Sequence, residues 1–451
     1  MKLKIFFLFC SIFILTGCSN SFNQNKIPSF KKTEKSNSVG YKNIDSKVIA
    51  NEEFLNANLQ SISENIRNYG SPGELKTSEF LKSKLIEFGY NVKFQDFDIY
   101  KQDAKTTIQA ETQSIYLNNN FYNSKSLGKA RNILATQKVF DPTKKTIYLT
   151  AHYDTTDDTV GVVDNASGSI ALLEIARMLS DYNDQFNIGI VFFSAEEYFR
   201  SGSRYFVSNL SEQDKKNILG CINIDMVGEK GKGNLVMNTV SGEQNIMSLM
   251  INNLTKNKFE LISGASSDDL SFYMAKIPII NLCNDYAAEG SYSDAENNLS
   301  SIDLNQIKDL CDSIANSLIE FDLDSYSNLL TSSISISSEN TLKNIGDFKL
   351  IDKKGKFLDN GYDIETIYTY EDTLGNIYTV NEKSSKFIPS NDYKDLTLFD
   401  DFNTDGYKLK QSNENAHLIY LHGFHYGEID SNTNSDNLLK FYKEYYSAKN
   451  L

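Results

Sequence analysis

Residues 147–154 read Ile-Tyr-Leu-Thr-Ala-His-Tyr-Asp, and residues 188–197 read Ile-Gly-Ile-Val-Phe-Phe-Ser-Ala-Glu-Glu. Each is a short apolar run that breaks abruptly into ionisable side chains. Between them, Ser169–Leu179 places Ile170, Leu173, Ala176 and Leu179 near one helical face. Strand, helix, strand is the unit of a parallel sheet, and a run as apolar as 188–193 fits a central strand covered on both faces. Leu219–Ile224 and Ile277–Cys283 are further strand candidates, with helical stretches near Ile246–Leu254 and Asp269–Met274. Upstream, Thr77–Tyr90 sets Phe80, Leu81, Leu85 and Phe88 at helical spacing and is closed by Gly89. The pattern predicts an α/β fold, a mostly parallel central sheet flanked by helices, over residues 46–324.

From about Ser325 the texture changes. The runs 348–351, 366–370 and 376–380 are rich in Ile, Tyr, Thr and Phe and are separated by Gly/Asn/Asp turns, and a helix is expected at Asn437–Tyr446. Residues 325–451 are therefore expected to form a small β-rich accessory domain without a chemical motif of its own.

The other end of the chain reads as an address. Lys2 and Lys4 precede an apolar run, Ile5–Leu15, that is too short to span a bilayer and ends in Leu15-Thr16-Gly17-Cys18. This resembles a bacterial lipoprotein signal over residues 1–18, with lipid on Cys18, and the Ser/Asn/Lys-rich residues 19–45 read as a flexible tether. The expectation is a protein anchored by lipid to the cell membrane and exposed outside the cytoplasm.

The 451 residues carry a formal net charge of −14, which argues against a nucleic-acid partner, since phosphate recognition needs a basic face. With 40% hydrophobic and 12% aromatic residues the chain is not intrinsically disordered, and five Cys are too few for a disulfide scaffold. A Cys283–Cys311 bond is left open, as is the oligomeric state.

The ionisable residues fall where the sheet predicts a ligand site, beyond the carboxyl ends of the strands. One strand ends at His152-Tyr153-Asp154, another at Glu196-Glu197 and a third at Asp225, while Asp164-Asn165-Ala166-Ser167-Gly168 stands just ahead of a helix. Singly, each has a bland reading: Asp164 as a helix cap, Glu196-Glu197 as solvated surface. Together they are carboxylates that repel unless a cation neutralises them, and one His among several carboxylates suits Zn²⁺ or Mn²⁺.

These four motifs, in this order, resemble the co-catalytic zinc exopeptidases of peptidase family M28, which include bacterial leucyl aminopeptidases, aminopeptidase Y, glutamate carboxypeptidases and glutaminyl cyclases. Gly70-Ser71-Pro72-Gly73-Glu74, Ser267-Asp268-Asp269 with Phe272, and Gly202-Ser203 support the resemblance, which covers about residues 50–320. It implies one or two zinc ions and a peptide substrate. His152 and Asp225 would hold one ion, Asp164 would bridge to a second, and Glu197 would bind that second ion. Asp154 would orient the imidazole, and Glu196 would be the general base for the attacking water.

The chain departs from the family at one point. Where a histidine ligand is expected, before the last helix, Tyr292 is followed by Ser293 and Asp294, with Asn297 where an Asp is usual. No histidine occurs between His152 and His417. A serine hydroxyl is a poor zinc ligand, so Asp294 or Asp285 is the alternative donor, with Mn²⁺ then suited to the second site. The resemblance leaves a lipid-anchored metallo-aminopeptidase as the leading expectation. A catalytically silent binding lipoprotein is the alternative, with a glutaminyl-cyclase-like enzyme ranked below it. His417, His422 and His425 are expected in a β-surface of the accessory domain.

Overall fold

The computed structural model describes residues 47–101, 126–182, 185–240, 242, 244–256, 258–288, 298–331, 344–357, 361, 364–384, 397–398, 405–422 and 425–449. The signal and tether expected at 1–18 and 19–45, with Cys18, and the Ser293-Asp294 pair lie outside the described residues. The chain divides into two compact units whose boundary in sequence falls between Phe321 and Asp322.

The first unit opens with helices α1 (Glu52–Ile62) and α2 (Pro72–Glu87) and strands β1 (Asn91–Tyr100), β2 (Ser126–Thr136) and β3 (Thr146–His152). Then come α3 (Gly168–Met178), β4 (Asn187–Phe193), α4 (Ser201–Ser208), α5 (Glu212–Asn217) and β5 (Ile218–Ile224). It continues through β6 (Leu235–Thr239), α6 (Ile246–Thr255), β7 (Glu260–Ser263), α7 (Asp269–Met274), β8 (Ile279–Asn284), α8 (Asp285–Ala288) and α9 (Leu304–Glu320). The strands form one sheet in the order β1-β2-β4-β3-β5-β8-β6-β7. β4, β3, β5 and β8 run parallel at its centre. β2 runs antiparallel to β4 on one side, and β6 antiparallel to β8 on the other.

The centre of the sheet is where the apolar runs lie, and the reason is burial on both faces. Every residue of β4, β5 and β8 is buried, as is all of β3 except Tyr148. β1 and β2 carry no such signal. β1 sits at the sheet edge with Asn91, Lys93, Asp96 and Asp98 exposed, so its chain reads as polar. α2 starts five residues ahead of the expected Thr77 because Ser71 caps it, its Oγ accepting from the Glu74 N–H at 3.0 Å, with Pro72 in the first turn. The helix ends at Glu87, just ahead of left-handed Gly89 (φ +92°).

β3 passes through α3 to β4 on one side, whereas β5 leads to strands on the other, so the connections diverge between β3 and β5. In sheets of this kind ligands bind at such a switch point, beyond the carboxyl ends of the strands, here ahead of α3. Cys221, Cys283 and Cys311 are buried and free, and no bond joins Cys283 to Cys311. Among the described residues no helix is long and apolar enough to cross a membrane.

The second unit is an antiparallel sheet of eight strands: β9 (Asn344–Ile345), β10 (Phe348–Phe357), β11 (Ile364–Glu371), β12 (Ile377–Ser384), β13 (Thr397–Leu398), β14 (Asp405–Lys410), β15 (His417–His422) and β16 (His425–Ser431). It begins with helix α10 (Leu323–Thr331) and closes with α11 (Ser435–Lys449). Leu438, Phe441, Tyr442 and Tyr445 of α11 share a core with Phe348, Tyr370, Tyr378, Leu418, Tyr420 and Ile429 of the sheet. The Tyr378 and Phe441 rings stack at 4.6 Å. Aromatic side chains suit such a single-sided core, because each buries a large area while Tyr keeps a polar end for a partner. His417 pairs through Nδ1 with Asp430 at 2.8 Å, and His422 stands opposite His425 in the register.

Leu149 is at the centre of β3 and fully buried. Leu149→Ala should lower the stability of the metal-free chain by about 2–5 kcal/mol in denaturant titration, and a loss below about 1 kcal/mol would contradict a close-packed core at β3.

Candidate metal centre

The strand ends deliver the ionisable residues to one point. His152, the last residue of β3, is buried, and its Nε2 lies 3.1 Å from Asp164 Oδ1 and 3.3 Å from Asp225 Oδ1. Its Nδ1 lies 3.4 Å from Asp154 Oδ1. One donor atom from each of His152, Asp164 and Asp225 falls within 4.8 Å of the other two. Although buried, His152 Nδ1 and Asp225 Oδ1 make no well-directed hydrogen bond. An imidazole nitrogen and two carboxylate oxygens converging in this way are a donor set that fits a divalent cation such as zinc.

Each donor is held by a local device. Asp164 lies in a turn, Val162–Ser167, entered through left-handed Gly161 (φ +50°), and the residue at the N-cap of α3 is Ser167, not Asp164. The Asp164–Asn165 peptide is cis. Asn165 ties this turn to the end of β5: its Nδ2 donates to Ile224 O at 3.0 Å, and its Oδ1 accepts from the Met226 N–H at 3.1 Å. Gly168 is needed here, since a Cβ would stand 2.3 Å from Ile224 O and from Asn165 Oδ1. Ser169 Oγ donates to His152 O at 2.7 Å, joining the start of α3 to the end of β3.

β4 is fastened in the same manner. Asp154 accepts from the Glu196 N–H through Oδ1 (3.1 Å) and from the Glu197 N–H through Oδ2 (3.3 Å). One buried carboxylate therefore holds the backbone of the acidic pair and stands beside the imidazole. Ala195 (φ +58°) and Met226 (φ +55°) are left-handed at the exits of β4 and β5, each costing on the order of 1–2 kcal/mol, at the turns that carry Glu196 and follow Asp225.

The electrostatics are those of concentrated negative charge. Burial raises the Glu196 carboxyl to about 7, opposed by the His152 and Arg200 charges and reinforced by Asp225 and Asp164. Arg200 Nε stands 3.7 Å from Glu196 Oε1, and Nη2 donates to Ser266 O at 2.7 Å. Burial, then Asp164 and Glu196, push Glu197 well above the usual carboxylate range. Asp164 is raised by burial against the His152 hydrogen bond. Burial also acts on Asp225, but His152, Ser267 and Arg200 outweigh it and lower its pKa. Burial opposes the charged form of His152, yet the Asp225 charge and the close approach of Asp154 and Asp164 hold its pKa well above the ordinary value.

Of the residues expected from sequence, His152, Asp164 and Asp225 form the cluster, Asp154 lies behind the imidazole, and Glu196 and Glu197 stand at its side. Asp285 does not join them: its Oδ2 accepts from the Asn234 N–H at 3.3 Å and its Oδ1 from the Tyr286 N–H at 2.7 Å, bracing β6 against β8. Asp268 and Asp269 are buried, and Asp269 Oδ1 accepts from the Ser267 N–H at 2.6 Å. Sequence reading gave no role to Asn165, Arg200 or Arg67. Asn165 stood inside a quoted motif, whereas nothing in local pattern marks Arg67.

A cation entering the cluster must displace the His152 proton, which its carboxylate neighbours hold well above the ordinary imidazole range, so affinity should rise with pH until the imidazole is deprotonated. Titrating the metal-free protein with Zn²⁺ in buffers of different ionisation enthalpy should reveal proton release at the lower pH. A pH-independent affinity without proton release would mean that the ion binds elsewhere.

Residues 132–318 match peptidase family M28. The chain is 33% identical over 141 residues to aminopeptidase YwaD of Bacillus subtilis, covering 30% of this chain and 31% of that protein. It is 29% identical over 188 residues to the probable lipoprotein aminopeptidase LpqL of Mycobacterium tuberculosis, covering 41% of this chain and 34% of that protein. The matched stretch thus spans about a third of either relative. Among solved structures, the zinc aminopeptidase BSAP from Bacillus subtilis superposes with a TM-score of 0.52 at 18% identity, over 61% of this chain and 96% of that one. An aminopeptidase from Aneurinibacillus sp. strain AM-1 gives 0.50 at 18% identity, over 60% and 94%. These likenesses show the fold.

Proposed function

We propose that this chain, which carries a peptidase family M28 domain across residues 132–318, is a zinc-dependent aminopeptidase that removes N-terminal residues from peptides. The observation that carries the reading is the convergence of His152, Asp164 and Asp225 with Glu196 beside them. The names of the relatives, aminopeptidases among them, agree with it. His152, Asp164 and Asp225 hold the ion, with Glu197 at the Asp164 side. A divalent ion so held supplies Lewis-acid activation of water and of the scissile carbonyl.

The chain's own groups then do the proton work. Glu196, with a pKa near 7, is poised to take a proton from the attacking water and return it to the leaving amine. Asp154 keeps the imidazole oriented and the Glu196 N–H fixed, so the base is presented from a rigid backbone. Glu196→Gln should retain metal and fold but lose at least about 10²-fold in kcat toward unblocked aminoacyl substrates, the usual contribution of a positioned base. Wild-type protein inert across a panel of such substrates, with metals varied, would defeat the reading.

The ion count follows from Ser293. With a hydroxyl where the family has an imidazole, one ion is held tightly and the second weakly, Mn²⁺ being suited to the weaker position. Metal analysis after dialysis should return about one equivalent, and Ser293→His should raise it toward two and increase turnover. Two tightly held equivalents in the wild type would show that another residue already serves. The signal-like residues 1–18 and Cys18 support export and lipid anchoring to the membrane, as the lipoprotein name of one relative does.

A further inference from the structure

Arg67 is a fully buried cation for which, among the described residues, no ion pair is found. Its guanidinium donates instead to five main-chain carbonyls. Nε donates to Tyr153 O (2.7 Å), Nη2 to Gly161 O (3.0 Å), and Nη1 to Val160 O (2.6 Å), Ile62 O (3.0 Å) and Asn65 O (3.4 Å). Its own N–H donates to Thr155 Oγ1 at 2.9 Å.

Three of those carbonyls belong to the metal centre's backbone. Tyr153 lies between His152 and Asp154, and Val160 and Gly161 immediately precede the turn that carries Asp164. After Thr155 the chain swings outward, with Asp157 and Asp158 exposed, and returns at Val160. Arg67 bridges the two sides of this excursion at its neck. Glu74, from the same N-terminal segment, meets Tyr153 at its other end: the Tyr153 hydroxyl donates to Arg131 O at 2.7 Å and lies 3.3 Å from Glu74 Oε1, and Ser194 Oγ donates to that carboxylate oxygen.

We infer that Arg67 is a positioning residue for the metal centre, setting the separation of His152 and Asp164 by clamping the loop between them. The inference rests on reading the His152–Asp164–Asp225 cluster as a metal site. Asn165 fastens the Asp164 turn to β5, and Arg67 fastens it to β3, so the two ligands are fixed from both sides. Only a planar fork of five donors spans carbonyls so placed, and a lysine ammonium with three donors at one point does not. The charge has a part as well: Asp154, Asp164 and Glu197 are the carboxylates that counter the burial of Arg67 and keep it protonated, at about 10. The cation in turn offsets repulsion among them before an ion enters.

The test uses Co²⁺, whose visible absorption reports ligand geometry, on the full chain with Arg67→Lys and Arg67→Met. Both variants should fold with a lowered metal-free Tm, bind Co²⁺ about 10-fold or more weakly in chelator competition, and show an altered absorption band. Lys should recover part of the Tm and little of the affinity. Folded variants with a lowered Tm, wild-type affinity and an unchanged band would overturn the inference, leaving Arg67 a structural residue only. Should neither fold, Thr155→Val removes the acceptor of the Arg67 N–H together with the local Thr155 Oγ1 donation to Thr156 O; a loss of about 2-fold or more in Co²⁺ affinity supports the clamp, and unchanged affinity overturns it. Wild-type protein that binds Co²⁺ but cleaves no peptide defeats the aminopeptidase reading alone, whereas wild-type protein that binds none defeats both.

Discussion

Negative charge held out of water at the ends of three parallel strands is the constraint on which the first unit depends. Asp154, Asp164, Glu196, Glu197 and Asp225 surround a single imidazole, and like charges so placed repel strongly in a poorly solvated setting. Their pKa values record the conflict: Glu196, Glu197 and Asp164 are raised, while Asp225, with His152 against it, is lowered. Such an arrangement is costly for stability alone, and a bound cation relieves it.

The fold holds these groups together by assigning each strand end a neutral or charged clasp. Asp154 ties β3 to the exit of β4, Asn165 ties the Asp164 turn to β5, and Ser169 ties α3 to β3. Glu74 and Arg67 reach in from the N-terminal segment to meet Tyr153. All of these act on backbone as much as on side chains. The donor atoms are therefore placed by segments that the apolar strands have already aligned, which is how a site can be rigid although it stands on loops.

The second unit solves a different problem. A sheet with one buried face needs a cover, and the aromatic face of α11 supplies it through Phe441, Tyr442 and Tyr445. Two of the tyrosines met there, Tyr420 and Tyr445, donate to one carboxylate, Glu382 Oε1, at 2.6 and 2.7 Å. Polar atoms are thus satisfied inside a core built of rings.

Much of this was legible in the sequence, for a physical reason. Strands buried on both faces must be continuously apolar, so 147–151, 188–193 and 219–224 announced themselves, and the sudden ionisable residues after them marked the ligand edge. β1 and β2 were illegible because β1 lies at the sheet edge and the first half of β2 is open to water, which allows polar residues that mimic a loop. The clasps were illegible for another reason: Arg67 meets Tyr153 across 86 residues, and Asn165 meets Met226 across 61. Local pattern encodes which segments are strands and which side chains can bind a cation, because periodicity and residue chemistry are local properties. Which of those side chains share one ion's reach, and which buried groups hold them there, depends on strand order and loop closure, and only the folded chain decides that.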